Sequence, residues 1–156
     1  MADTKLRIRE ATRADLAAIV ALLADDILGA AREHPEEPLS RSYVDAFEAI
    51  AADPNDELVV ASLGDEVVGC LQLTFTPGLS HGGSWRATVE GVRVSSAHRS
   101  RGIGEVLLRW VVERARERGC AMVQLSTDKR RRDAHRFYER LGFVASHEGM
   151  KLALHP

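Results

Sequence analysis

Cysteine is scarce in this chain: 156 residues hold two, Cys70 and Cys120, and they form no CxxC pair. That excludes a dithiol redox motif and a zinc ribbon. No His, Cys, Asp and Glu cluster has metal-ligand spacing either, so no metal is expected. Both thiols read as reduced packing residues, Cys70 within a strand and Cys120 at the start of one. No apolar run reaches the roughly 18 residues of a membrane-spanning helix, so no membrane contact is expected. Met1 to Arg9 is polar and mixed in charge, without the apolar stretch of a secretory signal. The expected location is therefore the cytoplasm. Internal repeats and low-complexity tracts are also lacking. What remains is a chain with 45% hydrophobic and 28% charged residues, the balance of one globular domain over residues 1–156.

The net charge of −2 conceals an asymmetry. Residues 1–60 carry 6 basic and 13 acidic side chains; residues 91–140 carry 13 basic and 6 acidic. Two readings are open. Both surfaces are simply solvated, or a basic half holds a polyanion while an acidic half attracts a cation. Lys129-Arg130-Arg131-Arg132 is a short basic patch. It has no aromatic interleaving and no recognition motif, so nucleic acid is not an expected partner.

Alternation with Leu6 and Ile8 on one face predicts a first strand over Lys5 to Glu10. Thr12 or Asp15 can cap a helix whose Leu16, Ile19, Val20 and Leu23 keep helical spacing. Gly29 to Leu39, acidic and holding Pro35 and Pro38, reads as a mobile loop. Ser40 opens a second helix through Val44, Phe47, Ile50 and Ala51, ended by Asp53-Pro54-Asn55. Glu57 to Leu63 and Glu66 to Thr76 form a hairpin around Gly64-Asp65. Pro77 to Ser84 is a Gly-rich loop, and Trp85 to Ser95 a fourth strand. Ile103, Val106, Leu107, Trp110, Val111 and Ala115 make one apolar helix face, stopped by Gly119. A buried strand follows over Ala121 to Thr127. Asp133 then caps a helix over Ala134 to Leu141, with Phe137 and Leu141 facing inward, and Phe143 to Leu154 supplies one or two last strands. The strand–helix–strand unit from Thr88 to Thr127 makes its two strands parallel, while the earlier ones are antiparallel. The fold class is α/β with a mixed sheet, mostly antiparallel with one parallel pair, flanked by about four helices.

The segment after the fourth strand carries the strongest chemical signal: Arg99-Ser100-Arg101-Gly102-Ile103-Gly104-Glu105, opening a helix. The first turn of a helix leaves N–H groups without intrahelical partners, at the positive end of its dipole. Glycine lets the backbone approach an anion, and arginine adds charge-assisted hydrogen bonds. A Walker A loop would need Lys where Glu105 stands. A dinucleotide fingerprint would need a third glycine where Leu107 stands.

Glu90-Gly91-Val92-Arg93-Val94, then Arg99 to Gly104, then Leu107-Leu108, resembles motif A of the GNAT superfamily of acetyltransferases. Phe137-Tyr138-Glu139-Arg140-Leu141-Gly142-Phe143 resembles the same superfamily's motif B. The two occur in the family's order, span about residues 88 to 144, and are separated by one predicted strand. The block Ser126 to Tyr138 is similar to the corresponding block of aminoalkylphosphonate N-acetyltransferases, a block that relatives of other specificity share.

The resemblance implies the GNAT fold and acetyl-CoA as acyl donor, lying between two parallel strands that splay apart. Backbone groups of Val92, Arg93 and Val94 would bond the pantetheine arm, as a strand bonds its neighbour. The amides from Arg99 through Ser100, Arg101, Gly102, Ile103 and Gly104 to Glu105 would hold the pyrophosphate. A backbone N–H near Val92 would face the acetyl carbonyl. Tyr138 is the candidate proton donor to the departing thiolate; the alternative is an aromatic ring that only packs. Glu90 is the candidate base, against a strand carboxylate facing solvent. Many relatives carry Asn seven residues before the tyrosine; here it is Arg131, which either meets CoA phosphates or is solvated. His81, His98 and His135 do not enter the site, because a lone histidine is more often structural. The acceptor expected is a primary amine of a small molecule or peptide. The alternative function is a non-catalytic acyl-CoA-binding regulator, which would not need Tyr138. Similar proteins are commonly homodimers, and the late strands offer interface material.

Overall fold

A computed structural model describes residues 5–155. The chain divides into two units, Met1–Gln124 and Leu125–Pro156. In the first, β1 (Leu6–Glu10) leads through a single 3-10 turn, Arg13–Asp15, into α1 (Leu16–Leu23). The short α2 (Ile27–Ala30) and the longer α3 (Arg41–Ala52) follow. Next come β2 (Asp56–Leu63), β3 (Glu66–Pro77), the short α4 (Ser80–Gly83) and β4 (Trp85–Val94). A second 3-10 turn, Ser96–His98, precedes α5 (Ile103–Glu117) and β5 (Cys120–Leu125). The sheet runs in the order β1-β2-β3-β4-β5. The first three pairings are antiparallel, and β4 with β5 is the one parallel pair, as a helical crossover between neighbours requires.

Strand alternation sorts the core onto two faces. Val60 and Cys70 pair across β2 and β3 and pack with Ile19 and Leu22 of α1. Their neighbours Ala61 and Gly69 face the other way, where a side chain at Gly69 would come 3.0 Å from Leu107 of α5. Each face is thus covered by a helix, and Val59, Val60 and Ala61 are all buried. Burial pushes the Cys70 thiol up to about 12, which leaves it protonated and unreactive.

The entrance to α1 is fixed by charge. The Asp15 carboxylate receives two bonds from the Arg9 guanidinium, at 2.7 and 2.9 Å, and one from the Thr12 amide at 2.7 Å. At the far end of α5, Arg114 grips Glu57 of β2 through its Nε at 2.9 and 3.0 Å, and Arg118 lies 4.1 Å above the Phe75 ring. Glu57, Arg114 and Arg118 line a cavity of about 490 Å³ together with Glu10, Asp53 and Trp110. None of the expected site residues lines it.

Several expectations need correction. Gly29 to Leu39 is not wholly loop, because α2 ends at Ala30 and Asp26 caps it through the Gly29 amide at 2.6 Å. The turn at Ser80–Gly83 likewise interrupts the Gly-rich loop before β4. On α5 it is Leu108 that is buried, while Val106 is 45% exposed and Trp110 only half-buried. The fifth strand stops at Leu125 and is not buried: Ala121, Met122 and Gln124 are exposed, since β5 stands at the end of the sheet order.

The second unit contains α6 (Arg132–Arg140). Arg131, not Asp133, occupies the cap position; Asp133 lies in the first turn and pairs with Arg136. Phe137 and Leu141 are half-buried, and no residue of α6 is fully buried. Phe143 to Leu154 forms no strand among the described residues. Val144, Met150, Leu152 and Leu154 are exposed there. Apolar alternation makes a strand only where a ladder partner satisfies the backbone.

Candidate active site

The site begins with an irregularity in β4. Cys70 pairs with Arg93 and Gln72 with Glu90, so β4 has one more residue than β3 between these pairs. The extra residue is accommodated at Gly91, whose φ of +62° suits glycine. The Cys70 thiol donates to the Gly91 carbonyl at 3.6 Å and holds the bulge against β3. A bulge bends its strand and redirects the side chains around it. Glu90 is exposed on the near side of this bend; Val92, Arg93 and Val94 follow it, half-buried.

Beyond β4 the chain turns tightly. Ser100 has φ +65° and Gly102 φ +76°, with Gly102 at the cap position of α5. No side chain caps this helix. The amides of Ile103, Gly104 and Glu105 therefore open onto the helix N-terminus, and Glu105 is the acidic residue of its first turn. Ile103 is buried and pins the turn, while Arg99, Ser100 and Arg101 are exposed. Arg101 makes no ion pair among the described residues. A side chain added at Gly102 would meet nothing within 4 Å, so the space over the turn is open. Glu105 is directed along the helix to Arg109, at 2.6 Å. Uncapped amides, adjacent cations and open space can receive a phosphate-bearing anion.

The remaining expected residues lie as follows. Arg93 sends its guanidinium to the Val92 carbonyl at 2.8 Å and stands 4.0 Å from Asp26. Tyr138 belongs to the second unit, on α6, where its ring meets Phe137 at 5.2 Å and Phe143 at 5.8 Å in edge-to-face geometry. Asp128 accepts bonds from Arg130, which hold its carboxyl well below the usual range.

Sequence reasoning missed the groups that brace the turn. Asp25 reaches Ser96, and Arg99 reaches back to the Asp25 carbonyl at 3.0 Å. It also missed the loop after α2, where the Tyr43 hydroxyl donates to Glu33 at 3.0 Å and accepts from the His34 amide at 3.0 Å. Burial would raise the Glu33 carboxyl, but bonds from Arg32 and Tyr43 outweigh it and keep the group ionised. The Asp25 links join residues more than seventy positions apart, which no local pattern signals. Among the described residues no His, Cys, Asp and Glu group could hold a metal ion, and no helix is long and apolar enough to cross a membrane.

The chain belongs to the acetyltransferase (GNAT) family, whose profile matches residues 17–143, and it is an acetyltransferase. Members of that family draw their acyl group from an acyl-CoA. It is 34% identical over 140 residues to the aminoalkylphosphonate N-acetyltransferase of Salmonella typhimurium, covering 90% of this chain and 86% of that one. It is 33% identical over 88 residues to the glucosamine 6-phosphate N-acetyltransferase of Trypanosoma brucei brucei, covering 56% of this chain and 58% of that one. A crystal structure from Bacillus halodurans C-125, described as a transcriptional regulator, superposes with a TM-score of 0.94 at 59% identity. That match covers 96% of this chain and all of the other.

Proposed function

We propose that the protein moves an acetyl group from acetyl-CoA to the primary amine of a small molecule or peptide, by direct attack in a ternary complex. The observation that carries this reading is the start of α5, free of a side-chain cap and joined to the bulged β4 by the 3-10 turn and the turn at residues 99–102. The amides of Arg99 to Glu105, with Arg99 and Arg101, would hold the pyrophosphate; backbone groups of Val92 to Val94 would hold the pantetheine arm. Bound there, acetyl-CoA supplies an activated thioester. Glu90, exposed beside the bulge, takes the proton that the amine loses on attack. Tyr138 gives a proton to the departing sulfur, since a phenol hydroxyl can donate as a general acid. Proton and acetyl group balance: the products are an amide and a free thiol. The acceptors named for the Salmonella and trypanosome relatives favour a small molecule carrying both an amine and a phosphorus oxyanion. With this reading go a single domain over residues 1–156 and, as in similar proteins, a homodimer.

The test is thiol release from acetyl-CoA against a panel of aminoalkylphosphonates, amino-sugar phosphates, polyamines and peptides. Turnover with one acceptor class supports the proposal. The description of the Bacillus halodurans protein favours a second reading, an acyl-CoA-binding regulator. Tight acetyl-CoA binding with no thiol release across the panel would select it. Tyr138→Phe separates the two again. It keeps the ring contacts with Phe137 and Phe143, yet lowers turnover about 100-fold with acetyl-CoA affinity nearly intact if the hydroxyl is the acid.

A further inference from the structure

Asp25 poses a physical problem. It stands just past α1, where the neighbouring cradle is built to receive an anion, and a carboxylate there works against anion binding. Its contacts supply the reason for its presence. The carboxylate accepts from the Ser96 amide at 2.9 Å and from the Ser96 hydroxyl at 3.2 Å. Both oxygens are thereby used on the 3-10 turn between β4 and the cradle. Its backbone carbonyl accepts from Arg99 at 3.0 Å and so directs the first arginine of the cradle. From the other side the same turn is tied to β3, by the Ser95 amide on the Val68 carbonyl at 2.8 Å. The next residue, Asp26, caps α2 and stands 4.0 Å from Arg93.

We infer that Asp25 is a positioning residue for the acyl-CoA cradle, acting through Ser96 and Arg99 and not by touching the donor. This rests on the reading of Arg99 to Glu105 as the pyrophosphate site. Ser100 and Gly102 both take left-handed conformations, so the turn needs an external brace to hold one shape. The two Ser96 bonds to the Asp25 side chain provide it. Fixing the turn before the anion arrives lowers the ordering cost of binding.

The experiment is calorimetric titration of the full chain with acetyl-CoA, comparing Asp25→Ala, Asp25→Asn, Ser96→Ala and Arg101→Ala with the parent. Asparagine can still accept from the Ser96 amide but carries no charge. Positioning therefore predicts a roughly tenfold larger dissociation constant for Asp25→Ala, and binding within about threefold of the parent for Asp25→Asn. Ser96→Ala loses one of the two bonds and should weaken binding about threefold, which keeps the test intact if Asp25→Ala folds poorly. The inference is overturned if Asp25→Ala binds like the parent, or if Asp25→Asn is as weak as Asp25→Ala. Arg101→Ala marks the cradle itself. Parental binding by Arg101→Ala would remove the cradle reading and this inference together. Weakened Arg101→Ala beside parental Asp25→Ala would remove this inference alone.

Discussion

Asp15 is the most strongly held carboxylate of the first unit. Its hydrogen bonds to Arg9 lower its pKa to about 2, although burial acts in the opposite direction. The unfolded chain titrates the same group near pH 4. A depressed folded pKa stabilises fully above the unfolded value and is lost as pH falls through the folded one. Asp15→Ala should therefore cost about 2 kcal/mol at neutral pH, measured by urea unfolding. The gap between variant and parent should close between roughly pH 4 and pH 2. Glu90 is the contrasting case, exposed and next to a backbone bend. If it is the base, Glu90→Gln lowers turnover about 100-fold and removes the acidic limb of the pH–rate profile. An unaltered profile would leave Glu90 a solvent-facing strand residue.

At the scale of elements, α5 does two jobs. Its N-terminus is the proposed cradle, and its body covers one face of the sheet. Leu107, fully buried, fills the space that the missing side chain of Gly69 leaves on β3. Leu107→Ala should destabilise the protein by about 3 kcal/mol, read from the denaturation midpoint. Because the cavity lies one turn behind the cradle, acetyl-CoA affinity should weaken as well. The bulge in β4 is the complementary device. Without it Val92 and Arg93 would continue the alternation of a flat strand, and Glu90 would stand in a regular ladder.

Over the whole molecule, the charge asymmetry resolves in part into internal pairing. Acidic residues of the first sixty positions meet basic residues of the later half: Glu57 holds Arg114, and Asp26 stands by Arg93. Arg109 and Arg116 pair along their own helix with Glu105 and Glu113. Arg101, exposed beside the start of α5, makes no ion pair among the described residues and is open to an anion. Raising salt from 0.1 to 1 M shortens the screening length from about 10 to about 3 Å. Acetyl-CoA binding should weaken accordingly, measured by titration at both ionic strengths, and a salt-independent affinity would argue against an electrostatic cradle.

The amino-acid order by itself determined what depends on neighbours along the chain. Helical spacing placed α1, α3 and α5; Gly64-Asp65 marked the hairpin; and Arg99 to Gly104 before an amphipathic helix marked a candidate anion site, because uncapped amides and glycine are local properties. Val106 in place of Leu108 is the kind of error that follows when periodicity alone chooses a face. The tertiary structure decided what depends on partners far apart. The bulge at Gly91 exists only in register with β3. The exposure of β5 depends on its place in the sheet order, and the apolar alternation after Phe143 produced no strand because a strand exists only with a ladder. Asp25 looks in sequence like one more acidic residue after a helix. Folding brings it to Ser96 and Arg99, and hydrogen bonds that short cannot be read from a separation of more than seventy residues.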